Sequence, residues 1–271
     1  MDQPWREALP ADWFSKAIGL KLEDAIGRVP ETGMLLTGGD AVLAEIARLL
    51  ESGQALLKAP MSFAGRGHLR VNRDSDPAKT RGWIDNTLAG HAGVVVEPWL
   101  DRVMDFSALY EMKPGGTVSL IGLTRMENDA AGRFLGIRVS PKWGNVLDPG
   151  IAEFLFRQAR VTEIYQKEIP AALATVLPGY VGPLCVDAMV HRRADGSLAL
   201  KPVVEMNVRL TMGRIAREWM KRQPGSLGGR FRLLRRQSMS PEEITTLAAG
   251  PGLFLNDPDH ATVFLAHWLP E

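Results

Sequence analysis

Two apolar segments around a short polar loop constrain this chain more than any other feature. "PLCVDAMVH" (183–191) and "LALKPVVEMNVRL" (198–210) flank "RRADGS", which reads as a β-hairpin turned at Asp195 and Gly196. In the second segment Glu205, Asn207 and Arg209 alternate with Met206 and Val208. Period two sends the acid, the amide and the cation to one face and the apolar pair to the other. A three-residue loop over 194–196, with Gly196 left-handed, sets Asp187 opposite Val203 and on the face of Glu205. A two-residue Asp-Gly loop would turn Asp187 away. Pro202 cannot donate to the ladder and marks an edge or a bulge. Two carboxylates and an amide oxygen on one patch suit a hard cation such as Mg²⁺. The alternative is a salt bridge, with Arg209 neutralising part of the acid.

The rest of the chain gives that hairpin a globular setting. The 271 residues carry a formal charge of +1, are 45% hydrophobic and include one cysteine. That length buries a substantial core, and that charge gives no reason to expect nucleic acid or a membrane surface as partner. Cys185 alone excludes an intramolecular disulfide and, among apolar neighbours, reads as a buried structural thiol. The acidic, proline-containing start has no signal-peptide pattern and no window is apolar enough to span a bilayer, so a cytoplasmic location is expected.

Periodicity predicts a helix from an Asp40 N-cap through 41–52, closed by Gly53, and strands in "QALLKAP" and "GVVVEPWL". "VMDFSALYEM" and "TVSLIGLTRM" form a hairpin across "KPGG". A helix from Pro149 is expected to run to Pro170, and Ser240 to Glu243 spell a capping box. "GLFLND" and "ATVFLAHW" close the chain as strands. Strands and helices mix without a regular βαβ beat, which favours α+β. A boundary near "VEPWL" divides the chain into 1–100 and 101–271.

Two more stretches carry candidate chemistry. In "LLKAPMSFAGRGH" (56–68) Lys58 ends an apolar strand, and a loop with Ser62, Gly65 and Gly67 follows. Glycines let backbone N–H groups approach and cradle phosphate oxygens. The lysine precedes the glycines, so this is no Walker A motif. In "VVVEPWLDRVMDFS" an apolar strand ends at Glu97, then Pro98, Trp99 and Leu100. Such a segment can offer backbone groups to an adenine edge and an aromatic wall to its face. The basic stretch 228–237 reads first as a solvated strand. Arg125, Arg133 and Arg138 are candidates for an acceptor pocket, unranked by the sequence.

Together these residues resemble the ATP-grasp superfamily of carboxylate–amine ligases. "LLKAPMSFAGRG" is similar to its strand lysine and glycine-rich lid, "EPWL" to its hinge, and "EMNVR", with Asp187 upstream, to its magnesium strand. Lys16 in "DWFSKAIGL" is placed like the family's other phosphate lysine. The resemblance implies two α+β lobes clamping ATP, a lid lobe within 1–100 and a lobe with the metal site over 101–271. It implies that Lys58 and Lys16 hold phosphates under the 62–67 loop, and that Glu97, Trp99 and Leu100 border adenine. Asp105 would face ribose or substrate, and Asp187, Glu205 and Asn207 would bind Mg²⁺. Arg209 would stabilise the transferred phosphoryl or the substrate carboxylate. The implied activity is ADP-forming: a carboxylate becomes an acyl phosphate, which an amine or other nucleophile attacks. A small-molecule kinase and a nucleotide-binding regulatory subunit are the alternatives. Few residues precede Lys16, so the family's full N-terminal domain is not expected, and a partner protein or oligomer could complete the substrate site.

Overall fold

The computed structural model describes residues 9–27, 32–62, 67–129, 134–223 and 228–271. A short 3₁₀ turn leads into α1 (Ala17–Ile26). A first sheet then combines β1 (Met34–Leu36), β2 (Ala55–Lys58), β3 (His68–Val71) and β4 (Val94–Pro98), in the order β1-β4-β2-β3. Helices α2 (Gly39–Ser52) and α3 (Pro77–Gly90) cover it, with Val42, Ile46, Leu49 and Ile84 buried against Leu57, Val94 and Val96.

The second sheet has eight strands. These are β5 (Asp101–Met112), β6 (Val118–Asn128), β7 (Phe134–Val139), β8 (Gly182–Arg192), β9 (Leu198–Asn207), β10 (Gly229–Arg235), β11 (Leu253–Phe254) and β12 (Phe264–Pro270). Their order is β11-β12-β10-β7-β6-β5-β8-β9. The helical segments α4 (Pro149–Glu153), α5 (Val161–Glu163) and α6 (Ile169–Val176) cover one face, and α7 (Met212–Arg222) lies on the other; α8 (Pro241–Ala249) precedes β11. All pairings among the described strands are antiparallel, the α+β arrangement that the missing βαβ beat predicts. The main core joins Phe106, Tyr110 and Val186 of the sheet to Leu155, Tyr165 and Ile169 of the helices. α1 packs here too, through Ile18 and Leu22, although it precedes the small sheet in sequence.

Several local expectations change. Gly38 rather than Asp40 is the N-cap of α2, and Asp40 sits in the first turn, where an acid favours the helix dipole and pairs with Arg81. The helix expected over 149–169 is broken at Arg160, whose φ is 56°, and wide π turns precede and follow the break. Pro170 does not end it: it sits in the first turn of α6, directly after the second π turn, where the loosened backbone tolerates a missing N–H. The strand through Glu205 stops at Asn207, and α7 begins at Met212, a helix not predicted above although Ile215, Ala216, Trp219 and Met220 recur at helical spacing. The capping box of α8 forms as read, with Ser240 Oγ accepting from the Glu243 N–H.

Candidate functional site

The hairpin register sets the site. Near the turn, paired residue numbers follow the three-residue loop, with Arg192 opposite Leu198 and Met189 opposite Lys201. Beyond this the register shifts: Asp187 faces Glu205, not Val203, because residues 202–204 of β9 stand against Ala188 alone. Pro202 supplies the irregularity, and its carbonyl accepts from the Tyr165 hydroxyl at 2.9 Å. The shift is of two residues, so the face is preserved. Val186 and Ala188 point into the core, while Asp187 points the other way, beside Asn207 and across from Glu205.

One transverse row therefore crosses four strands: Glu205, Asp187, Ser107 and Thr124. Ser107 Oγ donates to Asp187 Oδ1 at 2.6 Å, and Asn207 Nδ2 donates to Asp187 Oδ2 at 2.9 Å. Arg209, exposed just past the strand, donates to Asn207 Oδ1 at 3.1 Å. Burial pushes the Asp187 carboxyl up to about 6 despite the Ser107 hydrogen bond, and the Glu205 charge adds to the rise. Cys185 is buried as its apolar neighbours suggest, and its thiol lies 3.2 Å from Asp187 Oδ1. Among the described residues no three His, Cys, Asp or Glu side chains form a ready-made metal cluster; the donor set here is two carboxylates and an amide.

The two lysines are already engaged. Lys16, at the N-cap of α1, is buried and places Nζ 2.7 Å from Glu205 Oε1. Its backbone N–H donates to the carbonyl of Pro60, two residues beyond the end of β2. Lys58 lies 2.8 Å from Glu97 Oε2, with side chains only 5% and 8% exposed. Glu97 is thus a buried counter-ion as well as a strand end: burial alone would raise its carboxyl, but Lys58 and Lys201 hold it below the usual range. Ser62 donates to the Ala59 carbonyl, and Gly67, at φ 70°, folds the chain back so closely that a Cβ would meet Ser62 Cβ at 2.8 Å. Gly65 and Arg133 fall outside the described residues.

At the strand change the Trp99 backbone N–H donates to the Gln54 carbonyl, and the Arg70 guanidinium lies 4.2 Å over the indole ring, covering one aromatic face. A pocket of about 460 Å³ opens beside Trp99 and Leu100, with Arg102, Asp105, Met126 and Asn128 among its walls. Asp105 accepts from Asn128 at 2.6 Å and is pushed up by burial. It shares a face of β5 with Ser107, so pocket and acid row are continuous along that strand. Arg125 is among the residues that line the pocket, but neither its guanidinium nor that of Arg138 joins the acid row. They sit on the opposite face of the sheet, paired with Asp148 and Glu271. Sequence reasoning missed Ser107, Glu23 and Lys201. Period two in "MDFSALYEM" could have found Ser107; nothing local signals the other two.

No protein-family model matches the sequence, and a comparison with curated proteins gives no match. Solved structures do match. N5-carboxyaminoimidazole synthetase from Staphylococcus aureus, complexed with ADP, superimposes with TM-score 0.65 at 10% identity, over 96% of this chain and 68% of its own. The biotin carboxylase domain of 2-oxoglutarate carboxylase from Hydrogenobacter thermophilus, with MgADP, ADP and bicarbonate, gives 0.64 at 13% identity, over 96% of this chain. This chain spans 62% of that domain's length. Biotin carboxylase from Campylobacter jejuni, in complex with a nucleotide, gives 0.63 at 12% identity, over 95% of this chain and 63% of its own. At such identities the likeness establishes the fold, and the fold is that of the ATP-grasp superfamily.

Proposed function

Starting from the ATP-grasp fold, we propose that this protein is an ATP- and Mg²⁺-dependent ligase. It phosphorylates a small-molecule carboxylate and passes the acyl group to an amine or other nucleophile. One observation carries the reading: Asp187, Asn207 and Arg209 are hydrogen-bonded in series, with Glu205 beside them, on the sheet face that also bears the hinge pocket. The ADP, MgADP and bicarbonate named with the structural neighbours point the same way.

The donor set fits Mg²⁺. Asp187 is driven toward its neutral form by burial, and a cation beside it and Glu205 relieves that cost. Asn207 Oδ1 keeps a second lone pair beside its bond from Arg209. When bound there, the ion supplies neutralisation of polyphosphate charge. Lys58 and Lys16 reach phosphates once they leave Glu97 and Glu205, with Ser62 and Gly67 at the two ends of the segment proposed to cover them. Residues 97–100, with Trp99, border the base, and Asp105 takes the ribose or substrate end of the pocket. Arg209 is the exposed guanidinium at the end of the row, and a planar fork there can hold two oxygens of the transferring phosphoryl or of the carboxylate. The chain's part is positioning and electrostatic stabilisation in a site from which the lobes exclude water. A second chain completing the acceptor side belongs to the same reading.

The test is chemical trapping. With ATP, Mg²⁺ and a panel of carboxylates, hydroxylamine should intercept the acyl phosphate as a hydroxamate while ADP is released. A stable phosphorylated product with no hydroxamate would move the assignment to a kinase. Absence of ATP binding by the folded protein at millimolar nucleotide would sink it.

A further inference from the structure

Four charges from four separate elements meet in the interior. Lys58 of β2 lies 2.8 Å from Glu97 Oε2 of β4, and Lys201 of β9 approaches the same oxygen at 3.6 Å. Lys201 also stands 3.5 Å from Glu23 Oε1 of α1, with both side chains at 2% exposure or less. Glu97 therefore divides its charge between two ammonium groups, and Lys201 is in turn shared with a second acid. Both carboxylate oxygens of Glu23 are buried without a hydrogen-bond donor at bonding distance. Among the described residues, the other elements against α1 add no charge: α6 reads IPAALATV and β1 reads MLL, while Asp12 of the 3₁₀ turn pairs with the exposed Lys21.

We infer that Lys201 and Glu23 are positioning residues that set how firmly Glu97 holds Lys58, and thereby how readily Lys58 turns to the phosphates of a nucleoside triphosphate. The inference rests on the proposed role of Lys58. When Glu23 is charged it draws Lys201 toward itself and leaves Glu97 to Lys58. When Glu23 is neutral, Lys201 satisfies Glu97 and Lys58 is released. Neutral Glu23 also leaves the cluster one unit more positive, which favours polyphosphate by the same sign. Burial pushes the Glu23 carboxyl up to about 7, with Lys201 opposing and Glu97 assisting, so this exchange falls near neutrality. Affinity should rise as the pH falls through that value.

Calorimetry with the non-hydrolysable triphosphate AMP-PNP and Mg²⁺ tests this on wild type, Glu23→Gln and Lys201→Met, with melting curves to confirm folding. Glu23→Gln should bind about three- to tenfold more tightly than wild type at pH 8, the scale of one charge roughly 10 Å away in partly buried surroundings. It should also flatten the affinity profile between pH 6 and 8. Lys201→Met should bind more weakly by a similar factor. Structural damage would weaken both variants alike, so opposite signs support the positioning role. Two variants that move together, or an unaltered pH profile in folded Glu23→Gln, overturn it while wild-type binding leaves the functional proposal standing. A folded Lys201→Met that binds as wild type also overturns it. If wild type binds no triphosphate, both readings fall.

Discussion

At the scale of single residues, Arg209 and Asp187 make the most separable predictions. Arg209 stands exposed at the end of a hydrogen-bonded row, so replacing it should leave packing intact. Arg209→Lys keeps the charge and loses the planar fork. ATP affinity is expected to stay within a few-fold while kcat drops by about 10²–10³, the scale of one preorganised donor. Steady-state kinetics with the trapped carboxylate decides this, and equal turnover would remove Arg209 from the chemistry. Asp187 carries a cost to stability. Its carboxyl, moved by burial from 3.8 up to about 6, holds its proton more tightly in the folded than in the unfolded state. The group therefore favours folding at acid pH, and that contribution is lost as the pH rises through about 6. Asp187→Asn, neutral throughout, is expected to stabilise the metal-free protein at pH 7.5 by roughly 1–2 kcal/mol while abolishing Mg²⁺-dependent turnover. Thermal melts at pH 7.5 and 4.5 should show the gap closing in acid; a variant that melts lower at pH 7.5 refutes the electrostatic account.

At the scale of elements, the small sheet is built around a close approach to Glu97. A Cβ on Gly33 would stand 2.4 Å from Glu97 Cγ and 3.1 Å from the Val96 carbonyl. Gly33→Ala should force Glu97 off Lys58 and cost about 1–3 kcal/mol, the range of overpacking in a filled interior. Gly82 offers the contrast. It lies inside α3 with nothing within 4 Å of its missing Cβ, so Gly82→Ala should stabilise by about 0.5–1 kcal/mol through helix propensity alone. Urea denaturation of the pair measures both, and a Gly33→Ala protein as stable as wild type would mean the β1–β4 edge has room to shift. α3 itself has a readable start: Asp76 accepts from the N–H groups of Ala78 and Lys79 ahead of a run that begins with Pro77.

For the whole molecule, the two sheets exchange charge across the change of strand at 98–101. Lys58 and Glu97 come from the small sheet, and Lys201 from the large one. Lys16 and Glu23 sit on a helix packed against the large sheet's core. A ligand that engages Lys58 and the Asp187 row together should tie the lobes and stabilise both. Saturation at a hundred times Kd is worth about 2.7 kcal/mol. MgATP is therefore expected to raise the melting temperature of wild type by several degrees and that of Lys58→Ala by much less. An equal rise in the two proteins would take Lys58 out of the proposed phosphate site. Among the described residues no helix is long and apolar enough to cross a membrane.

The sequence by itself determined what depends on neighbours along the chain. Alternation in "EMNVR" placed Glu205 and Asn207 on one face, "KPGG" closed the β5–β6 hairpin with Gly115 and Gly116 at positive φ, and Ser240 capped α8. Even the wrong pairing of Asp187 with Val203 kept the right face, because the bulge at Pro202 added an even shift. Tertiary structure alone decided which charges meet. Lys16 found Glu205 across 189 positions of sequence, Ser107 found Asp187 across 80, and Glu23 reached Lys201 through the packing of α1 on β9. A buried ion pair is selected by the shape and dryness of an interior that many segments build together, and no local period of the chain encodes that.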